Sequence, residues 1–123
     1  MKILPFAFLL VFAAAAFAQG APSPAPGKVD GATAKSLVAS GVRVVDVRTP
    51  EEFASGHVPG AINIPYDQLP GRAAEIGPPS TPVLLYCRSG RRSGIAVDAL
   101  RKAGFTKLYD MQTATAWPGT LAK

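Results

Sequence analysis

Short apolar runs rich in β-branched residues alternate along this chain with segments of helical character, and this alternation constrains the fold most. The runs predict four strands, at 42–47, 61–64, 82–86 and 107–111. The segments beside them predict helices, at 32–39, 50–55, 66–76 and 93–103. Strands that alternate with helices favour a parallel sheet with helices on both faces, so we expect an α/β fold.

The residues at the predicted helix ends support these boundaries. Asp30 can cap the first helix, and Thr49 can cap the second, which Gly56 ends. Capping side chains accept hydrogen bonds from the free N–H groups of the first helical turn, whereas a glycine lets the chain leave the helix. Gly104 closes the last predicted helix in this way.

Residues 1–18 have the features of a secretory signal peptide. Lys2 supplies a positive charge, residues 3–15 are almost wholly apolar, and an Ala-x-Ala cleavage site follows. The apolar run is shorter than the roughly 20 residues that a membrane span needs, and Pro5 interrupts it. We therefore expect cleavage near Ala18, a periplasmic or secreted protein, and no stable membrane insertion. A retained anchor helix is the alternative.

Residues 19–27 are rich in proline, alanine, serine and glycine, a composition that predicts a flexible tether. Residues 28–123 then form one domain with room for a modest core. The full chain carries a formal net charge of +5, with basic residues scattered except at 88–92. That charge does not indicate nucleic-acid binding, and we expect a monomer that acts on small molecules.

The chain contains a single cysteine, Cys87, which cannot form an intramolecular disulfide. Exported proteins normally use cysteines in pairs, so an unpaired one indicates a free reactive thiol or intermolecular pairing. No Cys-x-x-Cys motif is present, which excludes a thioredoxin-like dithiol and a c-type haem. One cysteine and one histidine are too few for a zinc site, and we expect no metal and no other cofactor.

Cys87 follows the most apolar predicted strand, 82–86, and ligands bind at the carboxyl ends of such strands. Free N–H groups at the helix start and a tight turn at Gly90 would form an anion-binding nest around the sulfur. Such surroundings lower a thiol pKa and attract anions. With Cys87 as the reactive thiol, the predicted anion-binding residues are Arg88, Ser89, Gly90, Arg91, Arg92 and Ser93. The alternatives are a core cysteine and a solvated basic loop.

Two stretches of the chain resemble single-domain rhodaneses of the exported bacterial kind. The stretch VVDVRTPEEFASGHVPGAINIP, 44–65, follows that family's pattern D-x-R…E-[FY]…G-H-[IV]-x-G-A. The stretch LLYCRSGRRSG, 84–94, follows its active loop, C-x-x-G-x-[RT]-[SA]. The resemblance extends over roughly residues 30–117 and implies a rhodanese-like, five-stranded parallel sheet flanked by helices on both faces.

The resemblance implies a two-step transfer of sulfane sulfur. Cys87 would attack the outer sulfur of a donor such as thiosulfate, release sulfite and become a persulfide. A thiol or cyanide acceptor would then remove that sulfur, and no general base is needed because the thiolate is already formed. The backbone N–H groups of 88–93 would hold the persulfide, while Arg88, Arg91 and Arg92 attract the sulfonate.

The family pattern also implies supporting roles for four residues outside the loop. Asp46 and Arg48 belong to its framework, and we expect Arg48 to pair with Glu52. His57 and Cys87 together suggest a protease-like dyad. The pattern instead makes His57 structural, because GHVPGA is a tight turn that enters a strand.

Two other functions stay open. Phosphatases and arsenate reductases also hold a thiolate between a strand and a helix, but in a C-x-x-x-x-x-R loop, and here Ser93 takes that arginine's position. The other alternative is a rhodanese-like module that binds partners or carries sulfur slowly. A departure from the pattern favours this second alternative, since Gln112 and Thr113 replace the family's Gly-Gly pair before Trp117.

Overall fold

A parallel sheet of five strands forms the centre of residues 23–123, the part of the chain that this computed structural model describes. The strands are β1 (Gly27–Lys28), β2 (Arg43–Asp46), β3 (Ile62–Asn63), β4 (Val83–Cys87) and β5 (Leu108–Thr113). They lie in the order β1-β5-β4-β2-β3, so that β4 is central. Every pairing between neighbouring strands is parallel, which confirms the predicted α/β fold.

Helices and 3₁₀ turns connect these strands. The α-helices of the described part are α1 (Gly31–Ala39), α2 (Pro50–Ser55), α3 (Leu69–Arg72) and α4 (Arg91–Lys102). The 3₁₀ turns cover Tyr66–Gln68, Ala73–Glu75 and Ala114–Ala116. The helical stretch predicted at 66–76 is thus a short α-helix between two 3₁₀ turns, and α4 begins earlier than the predicted residue 93.

Side-chain caps fix the starts of the first two helices where the sequence predicts them. Asp30 accepts a hydrogen bond from the backbone N–H of Thr33 at 2.8 Å. Thr49 accepts one from the backbone N–H of Glu52, whose carboxylate accepts in return from the backbone N–H of Thr49. This reciprocal arrangement satisfies donors that lack partners in the first helical turn, so both predicted caps are confirmed.

The sheet separates two apolar layers, and successive residues of β4 contribute to them alternately. Leu85 and Cys87 belong to the layer covered by α3 and α4, whereas Leu84 and Tyr86 belong to the layer covered by α1. Every residue of β4 is buried. A central strand that is covered on both faces has a continuous apolar sequence, which explains the character of 82–86.

The residue pattern predicts four strands, and the structure adds β1 at one edge of the sheet. Gly27 pairs with Tyr109 of β5, although composition places Gly27 in the predicted tether. The Tyr109 hydroxyl also donates to the Pro24 carbonyl at 2.9 Å. A two-residue strand has too little side-chain alternation for prediction, and its position depends on β5.

The predicted signal peptide at 1–18 and the first part of the predicted tether, 19–22, lie outside the described residues. Cleavage and export therefore stay predictions. Within 23–123, no helix is both long enough and apolar enough to cross a membrane.

Candidate active site

The turn between β4 and α4 wraps around the sulfur of Cys87. Cys87 is the last residue of β4, and α4 already begins at Arg91. Gly90 precedes the helix with a φ of 98°, a left-handed conformation that glycine adopts without strain. This sharp turn brings the Gly90 N–H to the sulfur, with 2.9 Å between nitrogen and sulfur.

Two further residues contact the sulfur. The Ser93 hydroxyl oxygen lies 3.6 Å from it, and the thiol donates to the Gln112 carbonyl at 3.3 Å. While the thiol is protonated, the Ser93 hydroxyl donates to the Gly90 carbonyl at 3.1 Å, and its one proton can turn to the sulfur when the thiol is ionised. Cys87 and Ser93 both have 0% exposed surface, so the thiol is enclosed by its own loop and by β5.

Two opposing effects act on the protonation of Cys87. Burial disfavours the thiolate and acts to raise the pKa of the thiol. Hydrogen bonds from the backbone N–H and hydroxyl of Ser93, and from the N–H groups of Gly90 and Ser89, lower this pKa, and together they outweigh the effect of burial. The pKa of Cys87 therefore lies below its ordinary value, in the direction that the sequence predicts.

The three loop arginines point in different directions. Arg88 is exposed and lines a cavity of about 370 Å³ together with Arg48 and Glu52. Arg91 lines a larger groove of about 490 Å³ between α4 and the edge formed by β1 and β5. Arg92 forms a bidentate ion pair with Glu52, with N–O distances of 2.7 and 3.0 Å. Within 23–123 Arg88 makes no ion pair, so its charge is free to attract an anion.

Arg48 pairs with Asp46 and not with Glu52, so the expected pairing is wrong. The Arg48 guanidinium lies 2.6 Å from the Asp46 carboxylate and also donates to the Gly56 carbonyl at 2.6 Å. Both side chains are buried, and their spacing in the sequence brings them together where β2 ends. Glu52 faces α4 instead, where the hydrogen bond from Arg92 lowers the pKa of Glu52 to about 2.

Two residues that the sequence pattern does not single out complete the buried network around Asp46. The Tyr86 hydroxyl donates to the Asp46 carboxylate at 2.7 Å and accepts from the Val58 N–H at 2.9 Å. The Asn63 amide donates to the backbone carbonyls of Asp46 and Arg48. Tyr86 lies in an apolar run and Asn63 in a predicted strand, so neither residue carries a local signal of its role.

His57 stabilises the turn that follows α2. Its ring stacks on Phe53 with centroids 3.8 Å apart, and its Nδ1 lies 2.9 Å from the Phe53 carbonyl oxygen. Its backbone exchanges two hydrogen bonds with Ala122, at 2.9 and 2.8 Å. Among the described residues, none of the hydrogen bonds to the Cys87 sulfur comes from His57. These contacts favour a structural role for His57 over a catalytic dyad with Cys87.

Gln112 has the backbone conformation that a glycine would favour. Its φ is 70°, and among the described residues it is the only one besides glycines with a positive φ. A register shift makes Tyr86 pair with Gln112, and the resulting bulge in β5 places Gln112 beside the loop. The backbone thus has a conformation that suits glycine, the residue that the resemblance implies at this position, although the side chain here is that of glutamine.

The groups that surround the sulfur are mainly hydrogen-bond donors, which suit an anion better than a cation. The donors are the backbone N–H groups of Ser89, Gly90 and Ser93 and the Ser93 hydroxyl. Within residues 23–123, no group of three or more potential metal-binding side chains is found. The arrangement can therefore hold a thiolate, or an anion bonded to its sulfur, by hydrogen bonds alone.

Comparison with known proteins identifies the same region of the chain. A family model described as a rhodanese-like domain matches residues 31–115. Thiosulfate sulfurtransferase 16, chloroplastic, of Arabidopsis thaliana is 39% identical over 101 residues, which cover 72% of this chain and 83% of that protein. The uncharacterized protein YqhL of Bacillus subtilis is 47% identical over 70 residues, which cover 57% of this chain and 55% of that protein.

A solved structure shows the same fold. A rhodanese with anions from E. coli superposes with a TM-score of 0.62 at 34% sequence identity. The superposition covers 66% of this chain and 96% of that one. The region that the family model matches, residues 31–115, contains β2 to β5 and the loop around Cys87, so the similarity in sequence extends to the part of the molecule that holds the thiol.

Proposed function

Because this chain belongs to the rhodanese-like domain family, we propose that it transfers sulfane sulfur from an anionic donor to a nucleophilic acceptor through a persulfide on Cys87. One observation carries the proposal: donors of the loop between β4 and α4 converge on the sulfur of the chain's single cysteine. The same donors would stabilise a thiolate before the reaction and a persulfide anion after it.

The proposed first step uses thiosulfate, the donor in the name of the similar Arabidopsis protein. The Cys87 thiolate attacks the outer sulfur, a new S–S bond forms, and the S–S bond of thiosulfate breaks. Sulfite leaves with the electron pair of the broken bond. Cyanide or a thiolate then attacks the outer sulfur of the persulfide and regenerates the Cys87 thiolate. Neither step moves a proton, so no general base is required.

Arg88 is the proposed binding residue for the donor's sulfonate. It lines the cavity of about 370 Å³ beside the loop and carries an exposed charge. Arg92 is already paired with Glu52, and Arg91 faces the other groove. The E. coli rhodanese, whose structure contains anions, supports an anion site in this fold.

A slower module that carries sulfur or binds a partner is the second candidate, and the enclosure of Cys87 favours it. The thiol has 0% exposed surface, so sulfur would be loaded and passed on slowly. A phosphatase has less support, because the buried Ser93 occupies the position of the arginine that its loop requires. Export through the predicted signal peptide would place either activity in the periplasm or outside the cell.

The mass of the protein after incubation with thiosulfate tests the proposal. We expect a gain of one sulfur atom on Cys87, and its loss as thiocyanate when cyanide is added. Cys87→Ser keeps the size of the side chain but offers no thiolate, so it should show neither event. The proposal fails if wild type gains no sulfur, or if the variant keeps more than about a tenth of the wild-type rate. Faster hydrolysis of p-nitrophenyl phosphate than sulfur transfer would favour the phosphatase.

A further inference from the structure

Gln112 lies against the loop that encloses the Cys87 sulfur. Its carbonyl accepts the hydrogen bond of the thiol at 3.3 Å. A methyl group added at Gly90 would come within 3.2 Å of the Gln112 Cβ and 3.5 Å of its Nε2. The side chain therefore packs against Gly90, the residue whose N–H contacts the sulfur. The Gln112 carbonyl thus contacts the sulfur, and the Gln112 side chain covers the neighbouring Gly90.

The enclosure has to open before any reagent can react, because Cys87 has 0% exposed surface. The Gly90 N–H belongs to the loop backbone, and Ser93 is a buried residue of α4, so neither group moves easily. The Gln112 side chain is partly exposed, and within 23–123 its amide makes no hydrogen bond. Its rotamer can change without breaking a hydrogen bond, so the Gln112 side chain is the part of the enclosure that moves most easily.

We propose that the Gln112 side chain is a size gate over Cys87 that admits small reagents and slows bulky ones. In the acceptor step, this gate gives small nucleophiles such as cyanide or hydrogen sulfide an advantage over bulky thiols such as glutathione. That consequence rests on the proposed sulfur transfer. The amide is uncharged, so the gate selects by size and leaves the attraction of anions to Arg88.

Alkylation of Cys87 tests the gate directly, because Cys87 is the chain's only cysteine. N-ethylmaleimide and fluorescein-5-maleimide carry the same reactive group but differ in bulk and in charge. Because Gln112 and its replacements are uncharged, a change in the ratio of the two rates between wild type and variant at one pH measures access. We expect the ratio of the fluorescein-5-maleimide rate to the N-ethylmaleimide rate to be roughly tenfold higher in Gln112→Gly than in wild type. A change of this size is typical of close steric fit. An unchanged ratio would overturn the gate.

Thr113→Gly is the matched control. It introduces glycine at the next residue, whose hydroxyl lies 2.7 Å from that of Thr115, and so it tests whether backbone flexibility alone opens the site. We expect the wild-type ratio for this variant, and an equal rise in both variants would overturn the gate. Gln112→Gly should unfold near the wild-type temperature, because glycine suits a φ of 70°. Gln112→Asn, with a shorter amide, should give an intermediate ratio.

Turnover with two acceptors tests the consequence for sulfur transfer. In Gln112→Gly we expect the ratio of the glutathione rate to the cyanide rate to rise by roughly tenfold. An unchanged ratio in an active enzyme would overturn the role of the gate in acceptor choice. A wild-type protein that forms no persulfide would contradict the proposed function instead, and the maleimide ratio would still decide whether Gln112 controls access.

Discussion

At the scale of single residues, the protonation of Cys87 depends on a few hydrogen-bond donors that act against burial. Burial raises the pKa of the thiol, whereas donors from Ser93, Gly90 and Ser89 lower the pKa below its ordinary value. All of these donors are backbone N–H groups except the Ser93 hydroxyl, which lies 3.6 Å from the sulfur. Substitution can therefore remove the hydroxyl contribution while the backbone contributions stay.

Ser93→Ala should raise the pKa of Cys87, because it removes the one side-chain donor to the sulfur. The rate of iodoacetamide labelling against pH measures this pKa, and its midpoint should move to higher pH than in wild type. Ser89→Ala is the control, since only the backbone N–H of Ser89 acts on the sulfur. A Ser93→Ala midpoint at or below the wild-type value would show that the hydroxyl does not stabilise the thiolate.

Arg88→Ala should weaken the use of thiosulfate, because Arg88 alone among the loop arginines lines the smaller cavity. We expect kcat/KM to fall by about 10- to 150-fold, which corresponds to the 1.5–3 kcal/mol or so of a charge-assisted hydrogen bond. Arg91→Ala removes the same charge from the same loop, but the Arg91 side chain lines the other groove. Its kcat/KM should therefore stay within about threefold of the wild-type value. Equal losses would indicate general attraction of anions by the loop.

At the scale of secondary-structure elements, the ion pair between Glu52 and Arg92 joins α2 to the first turn of α4. The helix α2 has no buried residue, so apolar packing holds it weakly. The two charged side chains are only 26% and 20% exposed, and Glu52 also completes the cap of α2 with Thr49. One carboxylate therefore stabilises the start of α2 and fixes α2 against the active loop.

Glu52→Gln should destabilise the protein in a pH-dependent way, because it keeps the cap but removes the charge. The hydrogen bond from Arg92 lowers the pKa of Glu52 from 4.5 to about 2. Its stabilisation is thus fully present above a pH of 4.5 and is lost as the pH falls toward about 2. Urea denaturation should show a free energy of unfolding lower by about 1–2 kcal/mol at neutral pH and a difference near zero at about pH 2.

Glu51→Gln is the control for this prediction. It removes a charge from the same helical turn, and Glu51 makes no ion pair within the described residues. Its free energy of unfolding should differ from the wild-type value by less than about 0.5 kcal/mol. A loss as large as that of Glu52→Gln would assign the effect to the helix dipole and not to Arg92.

At the scale of the whole molecule, the start of α1 packs against the 3₁₀ turn Ala114–Ala116, which directly follows β5. A methyl group at Gly31 would overlap the Ala116 carbonyl oxygen and come within 2.9 Å of the Ala116 carbonyl carbon. Both of these atoms belong to the backbone, so no change of rotamer can make room. The contact joins distant parts of the chain and supports the end of β5 that carries Gln112.

Gly31→Ala should lower the free energy of unfolding by about 1–3 kcal/mol, the usual cost of forcing a methyl group into a packed site. Gly71→Ala is the matched control, because a methyl group there meets no atom within 4 Å. Alanine is also favoured over glycine in a helix such as α3, so this control should not lose stability. Urea denaturation of both variants measures the difference, and equal stabilities would mean that the Ala116 turn shifts at no cost.

The sequence by itself determined the features that depend on neighbouring residues. The alternation of apolar and helical segments predicts the parallel α/β fold, and Asp30 and Thr49 predict where the first two helices begin. The loop from Cys87 to Ser93 is also visible in the sequence, since glycine and arginines follow a thiol between a strand and a helix. Capping, turn formation and periodicity act over a few residues, so a sequence shows them directly.

Only the tertiary structure decided which side chains meet. Arg92 pairs with Glu52, which precedes it by 40 positions, whereas Arg48 pairs with its near neighbour Asp46. The position of Gln112 over the active loop depends on a bulge between β4 and β5. These contacts depend on strand register and on the packing of segments that are distant in the chain. Many residues determine that packing together, and no single motif encodes it.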